Sequence, residues 1–270
     1  MVGLIGAGIQ RSLSPALQEE EARQHGLRLH YQLIDLAGAG VEVLPELMRA
    51  VRIMKFAGLN ITFPCKQAVI PLLDGLSDEA RAIGAVNTVV RQGDRLVGHN
   101  TDASGWAWGF QRALPKADLS RVLLLGAGGA GAAVGYAALG LGVSDLLIFD
   151  ADPSRAAALA SRLGKKASPA KDLKTAMASS AGLIHCTPIG MTGHPGIPLD
   201  AAWLRPSMWV SEIVYVPLET ELLKAARRAG CATADGGHMN VGQAIRGFKL
   251  FTGRDADAAR MDAHFRRLVA

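Results

Sequence analysis

The chain has 270 residues, of which 49% are hydrophobic and 20% charged, and its formal net charge at pH 7 is +5. This composition predicts one or two soluble globular domains with a large buried core and excludes a disordered chain. The basic residues are scattered in pairs, as at Lys165-Lys166 and Arg227-Arg228. Because such pairs are typical of solvated helix faces, we expect no nucleic-acid partner.

The cysteine and histidine content is typical of a reduced, metal-free protein. Cys65, Cys186 and Cys231 have no paired spacing, and the seven histidines do not cluster at metal-ligand spacings. The N-terminus lacks the basic-then-apolar pattern of a secretion signal, and no apolar run is long enough to span a bilayer. We therefore expect a cytoplasmic protein with no metal and no membrane partner.

Strand and helix patterns alternate through the first hundred residues. Apolar runs predict strands at 2–9, 29–36, 58–63, 86–90 and 95–98, and helical patterns cover 16–25, 43–54 and a stretch ending near residue 80. Gly6-Ala7-Gly8 looks like a nucleotide-binding turn, but Arg11 stands where the third glycine belongs. We interpret this segment as a strand that feeds a loop.

Hydroxyl and carboxylate side chains precede two of the helices. Ser12 and Ser14 come just before a Pro-initiated helix, where hydroxyls either cap the helix or hold the carboxylate of a small ligand. Asp102 precedes the predicted helix 103–114, either as its N-cap or as a residue of a functional site.

A second polar group follows the strand at 58–63. Asn60 and Thr62 occupy alternate positions and therefore share one face of this strand, which leads through a proline turn to Lys66. Polar side chains near the carboxyl end of a strand suit a ligand crevice, although a solvent-facing strand edge would show the same pattern.

Residues 121–150 have the pattern of a dinucleotide-binding unit. The predicted elements are a buried strand at 122–125, an Ala-rich helix to about residue 141 with Gly142 as its stop, and a second strand at 146–149. The turn after the first strand fits G-x-G-x-x-G, with Gly131 in the third glycine position, and can bring a pyrophosphate to a helix N-terminus. The residues predicted to bind the cofactor here are Gly126, Ala127, Gly128, Gly129 and Ala130.

Asp150 follows the second strand, where a carboxylate can bind the hydroxyls of the adenosine ribose. A 2′-phosphate there would meet like charge, with a repulsion of roughly 4 kcal/mol at about 4 Å and an effective dielectric of about 20. We therefore expect NAD rather than NADP as the cofactor. Arg155 is the one nearby residue that could turn toward a 2′-phosphate; it is expected at the cofactor, with a place over the adenine face or in solvent as the favoured alternatives. Asp152, just before Pro153, is the predicted N-cap of the next helix.

The second half of the chain continues the alternating pattern. It predicts helices at 153–163 and 219–230, strands at 182–186, 209–214 and 231–234, and two amphipathic helices from residue 241 onward. Loops at the carboxyl ends of such strands suit the nicotinamide half of the cofactor. The residues expected to bind the cofactor in this half are Thr187, Pro188, Gly190, Met191, Val214, Gly236 and Met239, although Met239 fits a core position equally well. Tyr215, just after 209–214, is expected to bind the substrate.

The chain resembles the shikimate/quinate dehydrogenase family over nearly its whole length. The matching stretches are SLSP (12–15), NITFPCK (60–66), GAVNT (84–88), NTD (100–102), GAGGAG (126–131), TPIGM (187–191), VYVPLET (214–220) and GGHMNVGQA (236–244). The resemblance implies that Ser12 and Ser14 bind the substrate carboxylate and that Lys66 and Asp102 form the catalytic pair. The residues that it implies for the ring hydroxyls are Asn60, Thr62, Asn87, Asp102 and Gln243.

The order of the motifs predicts an α/β fold with two domains. Residues 1–101 form an α/β substrate domain to which 237–270 return, and residues 102–236 form a Rossmann dinucleotide domain. The implied function is NAD-dependent oxidation of a ring hydroxyl of shikimate, with quinate as a further substrate, by a monomer or homodimer. The alternatives are a dehydrogenase of a modified analogue such as aminoshikimate, a non-catalytic NAD-binding sensor, and a folate-linked dehydrogenase, which would leave Ser12 and Ser14 unexplained.

Overall fold

A computed structural model describes residues 1–269, which form two compact units. The first unit contains residues 1–101 and those from Gln243 onward, and the second contains Asp102–Gly242. Each unit has one six-stranded sheet with helices, which confirms the predicted α/β class. Every helix within residues 1–269 is too short or too polar to cross a bilayer.

The sheet of the first unit is mixed. Its strands are β1 (Val2–Gly6), β2 (Tyr31–Asp35), β3 (Gly58–Ile61), β4 (Gly75–Leu76), β5 (Thr88–Gln92) and β6 (Arg95–His99), and its first helices are α1 (Ser14–Gln24), α2 (Leu44–Ile53), α3 (Cys65–Ala68) and α4 (Asp78–Ile83). The order is β2-β1-β3-β5-β6-β4, with β1 parallel to both of its neighbours and β5 antiparallel to β3 and β6. The chain adds β2 on one side of β1 and β3 on the other, so the strand order reverses between β1 and β3, where open α/β sheets bind ligands.

The central strands of this sheet are apolar because both of their faces are covered. Leu59 and Ile61 on β3 pack with Met48 of α2 in the larger cluster of the unit. Val2 and Leu4 on β1 belong to a smaller cluster on the other side of the sheet. Burial on both faces accounts for the continuous apolar runs from which these strands were predicted.

The sheet of the second unit is entirely parallel. Its elements are α5 (Asp102–Ala113), β7 (Arg121–Leu125), α6 (Gly129–Gly140), β8 (Asp145–Phe149), α7 (Pro153–Leu163), β9 (Ala167–Pro169), α8 (Leu173–Ser179), β10 (Gly182–His185), β11 (Trp209–Glu212), α9 (Glu221–Arg228) and β12 (Ala232–Ala234). The order is β12-β11-β10-β7-β8-β9, so the strand order reverses between β7 and β10. Gly142, just after α6, has the positive φ predicted for a helix stop.

The last two helices are α10 (Gly236–Thr252), which begins in the second unit and ends in the first, and α11 (Ala258–Val269). The predicted start of the first of them, at residue 241, is wrong. The Asp235 carboxylate accepts the N–H of Gly237 at 2.9 Å, and this bond supports a first turn that two glycines would not favour alone. The predicted strand at 2–9 is also too long, since β1 ends at Gly6.

A buried carboxylate connects α1 to α11. Glu21, which is 1% exposed, accepts hydrogen bonds from Arg260 Nε at 2.8 Å, from the N–H of Asp257 at 2.8 Å and from His25 at 3.1 Å. Burial works to raise the pKa of Glu21, but these bonds outweigh it and the pKa is lowered. The ionised carboxylate therefore stabilises the packing of the C-terminal helix.

Glu21→Gln should lower the free energy of unfolding at pH 7 by about 2–4 kcal/mol, because it leaves buried hydrogen-bonding groups imperfectly paired. The pKa of Glu21 is lower in the folded state, so its contribution is complete above the ordinary value of 4.5 and is lost as the pH falls through the folded value. Urea unfolding at pH 7 and pH 4 should show the difference from wild type shrinking in acid. The matched control is Glu20→Gln, which changes a partly exposed carboxylate paired with the exposed Arg23 and should cost much less stability than Glu21→Gln. A variant as stable as wild type at pH 7 would contradict this role.

Candidate functional site

The loop that leaves β1 is held on both sides. Gly6 lies so close to the next strand end that a Cβ at this position would overlap the Thr62 methyl group. On the other side, the Asp35 carboxylate at the end of β2 accepts the N–H groups of Gly8 at 2.9 Å and Ile9 at 3.3 Å. Desolvation works to raise the pKa of Asp35, but the hydrogen bonds outweigh it and the pKa is lowered. These contacts on both sides therefore fix the position of the loop.

Ser12 and Ser14 lie at the end of this loop. Helix α1 begins at Ser14, and the Ser12 hydroxyl oxygen accepts the Ser14 N–H at 3.2 Å. The N-cap residue itself is Leu13, whose side chain has no hydrogen-bonding atom. A hydroxyl that accepts one hydrogen bond still has its hydrogen to donate, so the two serines at this helix N-terminus suit an anionic ligand.

Thr62 and Lys66 lie at the carboxyl end of β3. Thr62 extends the ladder with β1 by donating its N–H to the Ile5 carbonyl at 2.9 Å. Lys66 lies in α3, where its own carbonyl accepts the N–H of Val86 at 2.8 Å and the adjacent Cys65 is fully buried. These backbone bonds fix the predicted lysine beside the reversal point of the first sheet.

Asn87 is the centre of a buried hydrogen-bond network. Its amide oxygen accepts the Thr101 N–H at 2.7 Å and the Thr88 hydroxyl at 3.0 Å. Its NH₂ group donates to the Thr101 hydroxyl at 3.0 Å and to the side-chain oxygen of Gln243 at 3.3 Å. Because a buried amide is costly without partners, this network determines where Asn87 and Gln243 lie.

Asn60 on β3 joins the same network. Its NH₂ group donates to the Thr88 hydroxyl at 3.1 Å, and its oxygen accepts the Tyr31 hydroxyl at 2.7 Å. Thr88 thus links the amides of Asn60 and Asn87, and Asn87 contacts Gln243 directly. Tyr31 and Thr101 complete the network, and none of Tyr31, Thr88 and Thr101 was singled out from the sequence. In the sequence, each of these residues is only a hydrogen-bonding side chain inside or just after an apolar strand run. Ordinary strands show the same pattern, so this pattern does not mark a site residue.

The Asp102 carboxylate acts on the Tyr215 hydroxyl in the second unit. Asp102 is the first residue of α5 and is buried. Burial raises the pKa of Tyr215 and the Asp102 carboxylate raises it further, whereas a hydrogen bond with Asn240 acts in the opposite direction. The Tyr215 hydroxyl therefore stays protonated near neutral pH and is available for hydrogen bonding. Asn240, in the GGHMN stretch of α10, was missed from the sequence.

The glycine-rich turn follows β7 directly. Gly126 has a φ of +105°, and a Cβ there would lie 2.7 Å from the Cys186 carbonyl oxygen and 2.9 Å from the Thr187 methyl group. Gly128 is the N-cap of α6, and the guanidinium of Arg155 lies 3.5 Å from the position that a Cβ of this residue would take. A pyrophosphate fits this cradle, since helix N–H groups and a cation both favour it.

Two aspartates follow β8 and have different partners. The Asp150 carboxylate accepts the N–H of Ala127 at 2.7 Å and the N–H of Asp152 at 3.0 Å. The Asp152 carboxylate accepts the hydroxyl and the N–H of Ser154, and these bonds lower its pKa. Asp152 is the N-cap of α7, as predicted, and Asp150 is the carboxylate beside the glycine-rich turn.

The loops after β10 and β11 are joined by a backbone hydrogen bond from the N–H of Thr192 to the Val216 carbonyl at 2.9 Å. Within the first of these loops, the N–H of Gly190 donates to the His194 carbonyl at 2.6 Å. The predicted cofactor residues in these loops are Thr187, Pro188, Gly190, Met191 and Val214. A Cβ on Gly236 would overlap the Val214 carbonyl oxygen, so the start of α10 is pressed against the second loop.

The three cysteines are buried free thiols. Burial raises the pKa of Cys65, Cys186 and Cys231, and for Cys186 the carboxylates of Glu212 and Asp102 add to the effect. They remain protonated at neutral pH, which makes them poor nucleophiles. Within the described part of the chain, no group of three or more His, Cys, Asp or Glu side chains could hold a metal ion.

The chain is similar to known proteins over its whole length. Residues 4–89 match the family model described as shikimate dehydrogenase substrate binding domain. The chain is 54% identical over its full length to a shikimate dehydrogenase (NADP(+)) of Streptomyces avermitilis and covers 96% of that protein. It is 45% identical to a quinate/shikimate dehydrogenase (NAD(+)) of Corynebacterium efficiens, over 98% of this chain and 97% of the relative.

A solved structure shows the same fold. The quinate dehydrogenase from Corynebacterium glutamicum in complex with NAD superposes with a TM-score of 0.92 at 42% identity, and 98% of each chain is covered. Both units of the described chain are therefore represented in these relatives, whose names differ in substrate and in cofactor.

Proposed function

Because the chain belongs to the shikimate and quinate dehydrogenase family of nicotinamide-dependent oxidoreductases, we propose that it reversibly oxidises a ring hydroxyl of shikimate with NAD. The main support for this proposal is that different chemical groups lie at the two points where the strand order of a sheet reverses. The one between β1 and β3 has hydroxyl groups and an ammonium group, and the one between β7 and β10 has a glycine-rich turn beside a carboxylate. The first set suits a hydroxylated carboxylic acid and the second suits a dinucleotide.

In this proposal the first unit binds and orients the substrate. Ser12 and Ser14 hold its carboxylate at the N-terminus of α1, where the helix dipole favours an anion. The ring hydroxyls are held by the hydrogen-bonding side chains of Asn60, Thr62, Asn87 and Gln243. Because the amides are already fixed in a buried network, little ordering remains to be done when the substrate binds.

Lys66 and Asp102 control proton transfer from the reacting hydroxyl. One of the pair accepts this proton as the alcohol is oxidised, and the other orients the hydroxyl and balances the charge. The Lys66 ammonium also stabilises negative charge that develops on the substrate oxygen. The rigid backbone around Lys66 keeps its amine near the substrate position.

The glycine-rich turn and Asp150 hold the dinucleotide. When bound, the cofactor supplies the hydride acceptor. The α6 N-terminus and Arg155 bind its pyrophosphate, and the Asp150 carboxylate accepts hydrogen bonds from the adenosine ribose. The Ala127 N–H bond keeps this carboxylate beside the turn, where a 2′-phosphate would meet like charge.

NADP is the second candidate cofactor, favoured by the name of the Streptomyces relative and by the position of Arg155 near Gly128. A guanidinium in this place can pair with a phosphate on the ribose as well as with the pyrophosphate. Quinate is the second candidate substrate, favoured by the names of the Corynebacterium relatives. Steady-state kinetics with shikimate and quinate, each with NAD and NADP, decide both questions.

Lys66→Ala should lower kcat by roughly 10²–10⁴, the usual range for a positioned acid–base group. The affinity for NADH should stay near wild type, since the residues proposed to bind it do not include Lys66. The matched control is Gln67→Ala, which changes the exposed neighbour in the same short helix and should leave kcat unchanged. A kcat for Lys66→Ala within about threefold of wild type would contradict the acid–base role of Lys66, because such a change is far below the usual effect.

Ser12→Ala and Ser14→Ala should each raise KM for shikimate by about tenfold, the equivalent of one lost charge-assisted hydrogen bond of about 1.5 kcal/mol. The kcat should change little if the bond is equally strong in the ground and transition states. The matched control is Ser77→Ala, since Ser77 caps α4 by accepting the Ala80 N–H at 3.1 Å and should affect only the melting temperature. An unchanged KM with a lowered melting temperature in both Ser12→Ala and Ser14→Ala would show that the serines only cap the helix and do not bind the substrate.

The wild-type protein should prefer NAD over NADP by at least about tenfold in kcat/KM, since even half of the like-charge repulsion at Asp150 corresponds to roughly thirtyfold. Asp150→Ala should reduce this preference. Asp152→Ala is the control: it removes the α7 cap and should lower the melting temperature without changing the cofactor ratio. Equal or better kcat/KM with NADP in the wild type would show that this interpretation of Asp150 is wrong.

A further inference from the structure

His185 and Glu212 form a completely buried pair in the second sheet. They are the last residues of the adjacent parallel strands β10 and β11 and lie opposite each other in the register. Both side chains are 0% exposed, and His185 Nδ1 lies 2.9 Å and 3.0 Å from the two carboxylate oxygens of Glu212. Burying such a pair between apolar strands is costly unless its other hydrogen-bonding atoms also find partners.

The Glu212 carboxylate organises the chain that leaves β11. One oxygen accepts the N–H groups of Ile213 at 2.8 Å and Val214 at 3.0 Å. The other accepts the hydroxyl of Thr220 at 3.1 Å, and Thr220 in turn caps α9 by accepting the Leu223 N–H. The carboxylate therefore holds the backbone of Val214, a predicted cofactor residue.

The imidazole of His185 organises the chain that leaves β10. Because a carboxylate only accepts hydrogen bonds, Nδ1 carries a hydrogen. The other ring nitrogen lies 2.5 Å from the hydroxyl of Thr187, which also accepts the Ile189 N–H at 3.3 Å. The Thr187 methyl group lies against Gly126 of the glycine-rich turn. One buried network thus joins both loops at the edge of the sheet where the cofactor is proposed to bind.

We propose that His185 and Glu212 are positioning residues that hold these two loops in the geometry needed by the nicotinamide half of the cofactor. The inference rests on the proposed function. The adenosine half depends on different groups, namely Asp150 after β8 and the turn after β7. Loss of the pair should therefore weaken only the contacts with the nicotinamide half of the cofactor. A general loss of protein stability would instead weaken the contacts with both halves.

The experiment compares NADH with ADP-ribose, which has the adenosine, pyrophosphate and second ribose but no nicotinamide. His185→Asn, whose side chain is too short to contact both Glu212 and Thr187, should raise the Kd for NADH and lower kcat by about tenfold or more, as small misplacements near the reacting atoms do. Its Kd for ADP-ribose should stay within about twofold of wild type, as expected for groups that do not couple. Glu212→Gln, which keeps the size but removes the charge, should act in the same direction.

A double-mutant cycle tests whether the effect passes through the hydroxyl. Thr187→Val keeps the side-chain shape and removes the hydroxyl that contacts His185 and accepts the Ile189 N–H. The part of its effect on the NADH Kd that passes through His185 should not add to that of His185→Asn. This variant also serves as the test if His185→Asn does not fold. The matched control is Ser180→Ala, which removes a buried hydrogen bond of 2.8 Å before the start of β10 and should lower the melting temperature alone.

Three results would overturn the inference. They are a folded His185→Asn protein with wild-type NADH affinity and kcat, equal losses of affinity for NADH and ADP-ribose, and additive effects in the cycle. A wild-type protein that binds neither NADH nor ADP-ribose would instead refute the proposed function, and this result appears before any variant is made.

Discussion

The constraint on which both units depend is the close contact of a glycine with the end of a neighbouring strand. Gly6, at the end of β1, is pressed against Thr62 after β3, and Gly126, after β7, is pressed against Thr187 after β10. Both contacts lie where the strand order reverses, which is where open α/β sheets bind ligands. A side chain at either glycine would force the two strand ends apart.

An aspartate on the opposite side completes the same arrangement in both units. Asp35 is the last residue of β2 and Asp150 directly follows β8, and both accept backbone N–H groups from the loop that contains the glycines. The two units differ in the segment that follows the glycine-containing loop. In the second unit, α6 begins at Gly129 and presents its N-terminus to a phosphate at once. In the first unit, a longer loop intervenes before α1, and it places Ser12 and Ser14 where the helix begins.

Buried polar networks then determine the finer geometry of each edge. Asn87 is held by Thr88 of β5, by Thr101 after β6 and by Gln243, which lies 156 residues further along the chain. His185 and Glu212 link two loops whose strands are adjacent only in the folded sheet. Such groups cost free energy if a partner is lost, which limits how far the loops can move from one arrangement. The two sets act on different ligands in our proposals, the first on the substrate and the second on the cofactor.

Local patterns were sufficient for much of the second unit. The strand, turn, helix and strand of 122–150, the Asp152 cap and the Gly142 stop follow from hydrophobic periodicity and backbone preferences within a few residues. The strands β4 and β9, with two and three residues, were not predicted because such short runs have no measurable periodicity. The α10 start at Gly236 was missed because glycines disfavour a helix unless a cap and tertiary packing support it. The family and its site motifs could thus be recognised from the sequence alone. Only the tertiary structure could reveal the Asn87 and His185–Glu212 networks, because their partners meet through strand register and not through sequence spacing.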